Sequence, residues 1–203
     1  MNVPLRVKNL GLSDYEPVWR DMQNFTATRT EQTVDELWLV QHPPVYTLGL
    51  NAAHSHLISP STIPVVASDR GGQITYHGPG QIIAYVLIDC RRRGLGVKTL
   101  VACLEQAVIS LLKSHQILGE RRAKAPGVYV ANQKMAALGL RVKRGACYHG
   151  LSFNVAMDLT PFNNIDPCGF PGLEVTQLSD WIACDLDSIQ HELVEQLQIE
   201  FRD

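Results

Sequence analysis

The stretch RGGQITYHGPGQIIAYVLID, residues 70–89, decides how this chain is read. Its second half, QIIAYVLID (81–89), is a strongly apolar run of strand length, rich in β-branched and aromatic residues. It is expected to be a central strand of a sheet. In the first half, Gly71, Gly72, Gly78, Gly80 and Pro79 surround Gln73, Thr75, Tyr76, His77 and Gln81. Glycine lets backbone approach something that a Cβ would block. Glycines mixed with polar and aromatic side chains therefore predict a loop that wraps a ligand. No Lys-Ser or Lys-Thr follows the glycines, so this is not a Walker phosphate loop. The G-x-G-x-x-G spacing of a dinucleotide fingerprint is also missing. A plain tight turn between two strands is the bland alternative, and composition alone does not choose between them.

Outward from this stretch the chain alternates short strands with a few helices. Residues 14–28 predict a helix with Val18, Met22 and Phe25 on one face and Ser13 or Asp14 as its cap. ELWLV (36–40) and VYTL (45–48) predict strands separated by His42-Pro43-Pro44, and IPVVA (63–67) another. Residues 97–115 give the clearest helix, with Leu100, Val101, Leu104, Val108, Leu111 and Leu112 recurring at three and four. Strands are expected at 127–130, 134–142 and 151–156, and a last helix at 186–198. Strands cluster in the middle and helices do not alternate regularly with them. The pattern is that of an α+β domain, a mixed β-sheet with helices packed on it.

The 203 residues suit one domain spanning 1–203 with a sizeable core. At 45% hydrophobic and 19% charged, the composition is that of an ordinary globular protein. A net charge of -2 argues against a nucleic-acid partner. No apolar run approaches the ~20 residues of a membrane span, and MNVPLRVKNLGL lacks the apolar core of a signal peptide. The five cysteines (Cys90, Cys103, Cys147, Cys168, Cys184) are odd in number and irregularly spaced. They predict free thiols in a reducing cytoplasm. With no C-x-x-C pair, no structural zinc is expected.

Cys168 lies in IDPCGFPG, where two prolines and two glycines predict an ordered loop. A cysteine on such a loop is able to be accessible, and an accessible thiolate is a nucleophile. The alternative is a small buried hydrophobe, the usual fate of a lone cysteine. Cys103, inside the long helix, fits that alternative better. Lys134 opens the 134–142 strand. Simple alternation puts it on one face with Ala136, Leu138, Leu140 and Val142, and Gln133 and Arg141 on the other. A lysine at the end of an apolar face is desolvated, which lowers its pKa, unless its ammonium snorkels to water. His77 and His149, each between a tyrosine and a glycine, compete for a general-base role, since Cys-His is the commoner pairing. His149 with Cys147 as metal ligands lacks the further ligands a site needs. His42, His54, His56, His115 and His191 are read as surface or structural.

Three blocks occur in order: RGGQITYHGPGQ (70–81), APGVYVANQKMAALGLRVKRG (125–145) and YHGLSFNVAMDLTPFNNIDPCG (148–169). Together they resemble the lipoyl(octanoyl) transferase family, also called lipoate-protein ligase B. The resemblance runs from SDYEPVW near Ser13 to about Trp181. It implies the biotin/lipoate-ligase catalytic fold and an acyltransferase of lipoate biosynthesis. Such an enzyme moves an octanoyl or lipoyl group from acyl carrier protein to a lysine of lipoyl domains. Those domains belong to the 2-oxoacid dehydrogenase complexes and the glycine cleavage H protein. By the same resemblance Cys168 is the acyl-accepting nucleophile and Lys134 its dyad partner. Arg70, Gly71, Gly72, Gln73, Ile74, Thr75, Tyr76 and His77 match the first substrate loop. Ala137, Leu138 and Gly139 match the second, and Gly150, Leu151 and Ser152 the third. It implies no metal or nucleotide cofactor, no membrane or nucleic-acid partner, and a monomer. Small residues would leave room for an eight-carbon tail, and backbone N–H groups of the glycine-rich turns would hold the thioester oxygen. The basic clusters Arg91-Arg92-Arg93, Arg121-Arg122-Ala123-Lys124 and Lys143-Arg144 offer docking for acidic protein substrates, against the plainer reading of solvated surface. Two rivals remain open: an ATP-dependent lipoate or biotin ligase on the same fold, and a non-catalytic acyl-binding protein.

Overall fold

The computed structural model describes residues 5–52, 62–165 and 173–202. Ten strands and three helices follow in the order β1 (Leu5–Leu12), α1 (Tyr15–Thr28), β2 (Asp35–Gln41), β3 (Val45–Leu48), β4 (Val65–Ala67), β5 (Ile74–His77), β6 (Gln81–Asp89), α2 (Val97–Ser114), β7 (Glu120–Arg121), β8 (Gly127–Val130), β9 (Gln133–Lys143), β10 (Ala146–Asn154) and α3 (Leu186–Glu200). Short 3₁₀ turns lie at Thr160–Asn164 and Leu178–Asp180.

Seven strands make one sheet in the order β1-β2-β6-β10-β9-β8-β7, and β4-β3-β5 make a second. The large sheet is mixed. β1 runs parallel to β2, while β2–β6, β6–β10, β10–β9 and β9–β8 are antiparallel. β6 sits between β2 and β10, and all of it but Asp89 is buried, as its unbroken apolar run requires.

The period of two in β6 divides the core. Ile82, Ala84, Val86 and Ile88 face one way, into a cluster with Leu104, Val108 and Leu111 of α2 and Leu193 and Leu197 of α3. Ile83, Tyr85 and Leu87 face the other way, against Val18 and Met22 of α1. Burying an apolar side chain of this size stabilises by about 1.5–3 kcal/mol. The small sheet has its own core, Tyr46, Leu48, Ile74 and Tyr76, closed by Met157, Phe162 and Ile165.

Several elements differ from expectation. β10 starts at Ala146 rather than near residue 151, because Cys147, Tyr148 and His149 are strand-paired to Val142, Arg141 and Leu140 despite their turn-like composition. β5 lies inside the glycine-rich stretch and pairs Ile74–His77 with β3. Asp14 occupies the N-cap of α1 but its side chain makes no capping bond. Ser13 Oγ instead donates to the Leu10 carbonyl at 2.8 Å.

Candidate active site

Three adjacent strands build a floor on the α1 side of the large sheet. In register, Ile83 of β6 opposes Ser152 of β10, which opposes Ala137 of β9. Two residues along, Tyr85 opposes Gly150, which opposes Gly139. The roof is the segment 70–77. The cavity between them holds about 500 Å³ of space between atoms, its open mouth included. Of the expected substrate residues, Arg70, Gly72, Gln73, Ile74, Thr75, His77, Ala137, Leu138, Gly139, Gly150, Leu151 and Ser152 all line it. Gly71 and Tyr76 do not. The Gly71 N–H instead donates to the Leu140 carbonyl at 2.9 Å, which pins the roof to β9. A Cβ on Gly71 would come within 3.1 Å of that same oxygen. Tyr76 is buried in the core of the small sheet, edge-on to Phe162.

Arg70 acts as the roof's clamp. Its Nε and Nη2 donate to Thr47 Oγ1 at 3.1 and 2.9 Å, and Nη2 also reaches the carbonyls of Thr47 and Gln73 at 2.6 and 2.7 Å. Arginine's planar fork suits this multiple recognition of fixed oxygens.

A second cavity, about 300 Å³, shares Thr75, Ala137 and Ser152 with the first and carries Lys134 in its wall. Lys134 is only 4% exposed. Its position differs from simple alternation. Val128 pairs with Ala136 but Tyr129 pairs with Lys134, so Met135 is an extra residue in β9, a β-bulge. Met135 and Ala136 both join the α2/α3 core. Lys134 is thereby turned to the cavity side, away from the face of Ala136, Leu138 and Leu140. Its ammonium lies 3.4 Å from the Pro126 carbonyl oxygen and 5.3 Å from the centre of the Tyr129 ring. Gly127, at φ +145°, lets the lysine stem pass, since a Cβ there would sit 3.1 Å from Lys134 Cε. Cys168, the expected nucleophile, falls outside the described residues, as do His54 and His56.

His77 and His42 are both buried and hydrogen-bonded to protein groups. His77 donates from Nδ1 to Gln81 Oε1 at 2.7 Å, and its Nε2 faces Thr47 Oγ1 at 3.3 Å. Burial and the neighbouring His42 push its pKa down to about 3. His42 donates from Nδ1 to the Ser13 carbonyl at 2.5 Å and accepts from the Tyr85 hydroxyl at Nε2, 2.8 Å away. Burial lowers its pKa to about 4.

His149 is the strained residue of the site. Its φ is +64° in the middle of β10, a conformation rare for a residue with a Cβ. By alternation it would join Cys147, Leu151 and Phe153 in the α2/α3 core. The positive φ turns it to the other face, where Nε2 donates to Asp69 Oδ1 at 3.0 Å and the ring stacks on Tyr148 at 5.0 Å. Asp69 also accepts from the Tyr148 hydroxyl, from Trp19 Nε1 at 2.8 Å and from Gln23 Nε2 at 3.2 Å. These donors hold its carboxyl well below the usual range against the opposing effect of burial. The network ties α1, the roof and β10 together. Tyr15, Ile83 and Tyr85 also line the first cavity and were not among the expected contacts, and His149, a candidate general base from the sequence, lines it too. For Ile83 and Tyr85 the signal was available: they are the odd positions of β6, sharing a face.

Of the basic clusters, Arg92 and Arg93 are committed to the fully buried Asp35, at 2.7 and 2.6 Å, together with Arg29. Arg121 bonds Glu105 at 3.1 Å and Arg122 bonds Asn132 at 2.6 Å. Lys143 and Arg144 are exposed at the β9–β10 turn.

The lipoyl protein ligase A/B catalytic domain family matches residues 14–198. The chain is 62% identical to an octanoyltransferase of Nitrosococcus oceani over 86% of this chain and 78% of that one. It is 58% identical to an octanoyltransferase of Thiobacillus denitrificans over 96% and 89%. The chain belongs to the octanoyltransferase family. Among solved structures, the bi-partite lipoate protein ligase of Thermoplasma acidophilum superposes with a TM-score of 0.72 at 13% identity, over 97% of this chain and 84% of that one. The biotin protein ligase of Aquifex aeolicus gives 0.59 at 9% identity, over 97% and 70%. These likenesses show the fold that octanoyltransferases share with ligases. Among the described residues no helix is long and apolar enough to cross a membrane.

Proposed function

We propose that this chain is a single-domain octanoyltransferase that moves an octanoyl or lipoyl group from the thioester of acyl carrier protein to a lysine amine of lipoyl domains. The acceptors are those of 2-oxoacid dehydrogenase complexes and the glycine cleavage H protein. The observation that carries the reading is the first cavity. It is lined mostly by carbon and floored by small residues, and it adjoins the buried Lys134 through Thr75, Ala137 and Ser152. A mostly apolar cleft with few polar groups suits an acyl chain.

The Cys168 sulfur attacks the thioester carbonyl carbon, the bond to the carrier's sulfur breaks, and the carrier leaves as its thiol. The ε-amine of the acceptor then attacks the Cys168 thioester. The amide C–N bond forms, the Cys168 C–S bond breaks, and the amine's proton returns to the cysteine. Lys134 is the acid–base group for both proton movements. The geometry favours it over His77, whose two ring nitrogens face Gln81 and Thr47. The thioester is already activated, so no nucleotide is consumed.

Mixing the chain with octanoyl-acyl carrier protein, without ATP, tests this by intact mass. One octanoyl adduct, labile to hydroxylamine and absent in Cys168→Ser, is expected. Acylation at Cys147 or Cys184 instead, or an absolute need for ATP, overturns it. An adduct-free chain that still binds the carrier supports the non-catalytic reading.

A further inference from the structure

The end of the cavity away from Lys134 is closed by aromatic rings, and the hydroxyls of the two tyrosines among them are committed elsewhere. Tyr15, His77, Tyr85 and His149 all line it, and His42 stands behind them, 5.2 Å from Tyr15, 6.0 Å from His77 and 6.0 Å from Tyr85, centre to centre. The Tyr15 hydroxyl is held by Ser68 at 2.6 Å, and the Tyr85 hydroxyl by His42 at 2.8 Å. His42 is itself fixed by the Ser13 carbonyl, and the Tyr85 ring meets His149 edge-on at 6.0 Å. A ring held at both its edge and its hydroxyl does not swing aside as a leucine or methionine would.

Position along the sheet gives this wall a meaning. Thr75, Ala137 and Ser152 border both cavities and so mark the Lys134 end. Tyr85, Gly139 and Gly150 lie two residues further along their strands, a rise of about 7 Å. An acyl chain that starts at the Lys134 end therefore reaches the Tyr85 ring within several carbon–carbon bonds, well short of the length of a long-chain acyl group.

We propose that Tyr85, braced by His42, is the stop that sets how long an acyl chain this site accepts, with eight carbons filling the floor and longer chains meeting the ring. The proposal rests on the acyl-cavity reading above and adds a specificity-determining residue to it. Its signature is a departure from hydrophobic scaling. Without a stop, affinity rises about fourfold with each added methylene. With one, it peaks and then falls, since a well-packed pocket rejects extra methylenes.

Calorimetric titration of the wild-type chain with free hexanoate, octanoate, decanoate and dodecanoate measures this without catalysis. A maximum at octanoate, with dodecanoate at least tenfold weaker, is expected. Tyr85→Ala is expected to move the maximum to decanoate or dodecanoate, and Tyr85→Phe, which keeps the ring, to leave it at octanoate. Affinity climbing steadily to dodecanoate in the wild type overturns the proposal, even if Tyr85→Ala does not fold. So does a Tyr85→Ala ladder that keeps its maximum at octanoate, or no binding at any length. A ladder that peaks at octanoate in a chain that transfers no octanoyl group sustains the stop and overturns the transferase reading instead.

Discussion

Acid should unfold this protein early, and the cause is His42 and His77. Both are buried, neutral and hydrogen-bonded in their neutral forms, with pKa values lowered to about 4 and about 3. In the unfolded chain each returns to about 6.5. The folded state therefore binds fewer protons below pH 6.5, so its stability is fully present above that pH and is lost as pH falls toward the folded values. At pH 5 each group has contributed a loss of about 2 kcal/mol, at 1.36 kcal/mol per pH unit over roughly 1.5 units. Two such losses, about 4 kcal/mol, are a large part of the ~5–15 kcal/mol a domain possesses. His149, whose pKa burial also lowers, works in the same direction. Urea unfolding at intervals from pH 8 to pH 4.5 measures this. The unfolding free energy should be level above pH 7 and fall by several kcal/mol by pH 5. From pH 8 down to about pH 5.5 the His42 and His77 ring resonances of the folded protein should not titrate. A stability profile level from pH 7 to pH 5, or folded-state titration of either ring near 6.5, refutes the reasoning.

Lys134→Met keeps the stem and removes the charge; it should lose ~10²-fold or more of transfer with a melting temperature at or above wild type, because a buried ammonium is costly to hold. Loss of fold with loss of activity would make Lys134 structural. Gly150→Ala would put a Cβ 1.9 Å from the Ala84 carbonyl oxygen, forcing β10 off β6 at a cost of about 3 kcal/mol or more, read as a melting point lower by roughly 6–12 °C. Gly94→Ala, with nothing within 4 Å but φ +63°, should cost only about 1–2 kcal/mol, and equal effects would show that the contact at Gly150 is not what matters. Charge reversal at Lys143 and Arg144 should lower kcat/KM for the two proposed protein substrates and flatten its salt dependence while kcat holds; a kcat/KM indifferent to salt in the wild type would leave these two as ordinary surface.

Much of the fold was legible because its signals are local. The bounds of β3, β6 and β8 follow from short apolar runs between turn residues, and α2 from leucines recurring at three and four. β1 was not legible: six of its eight residues are exposed, and what fixes it is parallel pairing to β2, a distant contact with no local pattern. The same holds for the arginine run at 91–93. Its charges look like a docking patch, but the partner of Arg92 and Arg93 is Asp35, more than fifty residues upstream and fully buried.

The site itself was legible as a set of segments and illegible as a surface. The segments at 70–77, 137–139 and 150–152 do converge on one cavity. Which side chains face it depends on two places where the period of two breaks. One extra residue at Met135 reverses Lys134, and a left-handed turn of the backbone reverses His149. With strict alternation both polar side chains would enter the apolar core beneath α2 and α3, where an unpaired lysine or imidazole costs several kcal/mol. Neither break has a glycine at the reversed residue to announce it, although Gly150 follows the second at a spot where no Cβ fits. The irregularities are therefore not incidental to β9 and β10. They are what allow one sheet to present an apolar face to α2 and α3 while Lys134 and His149 stand on the other, and local rules failing at two positions of one candidate site is what a site built against those rules looks like.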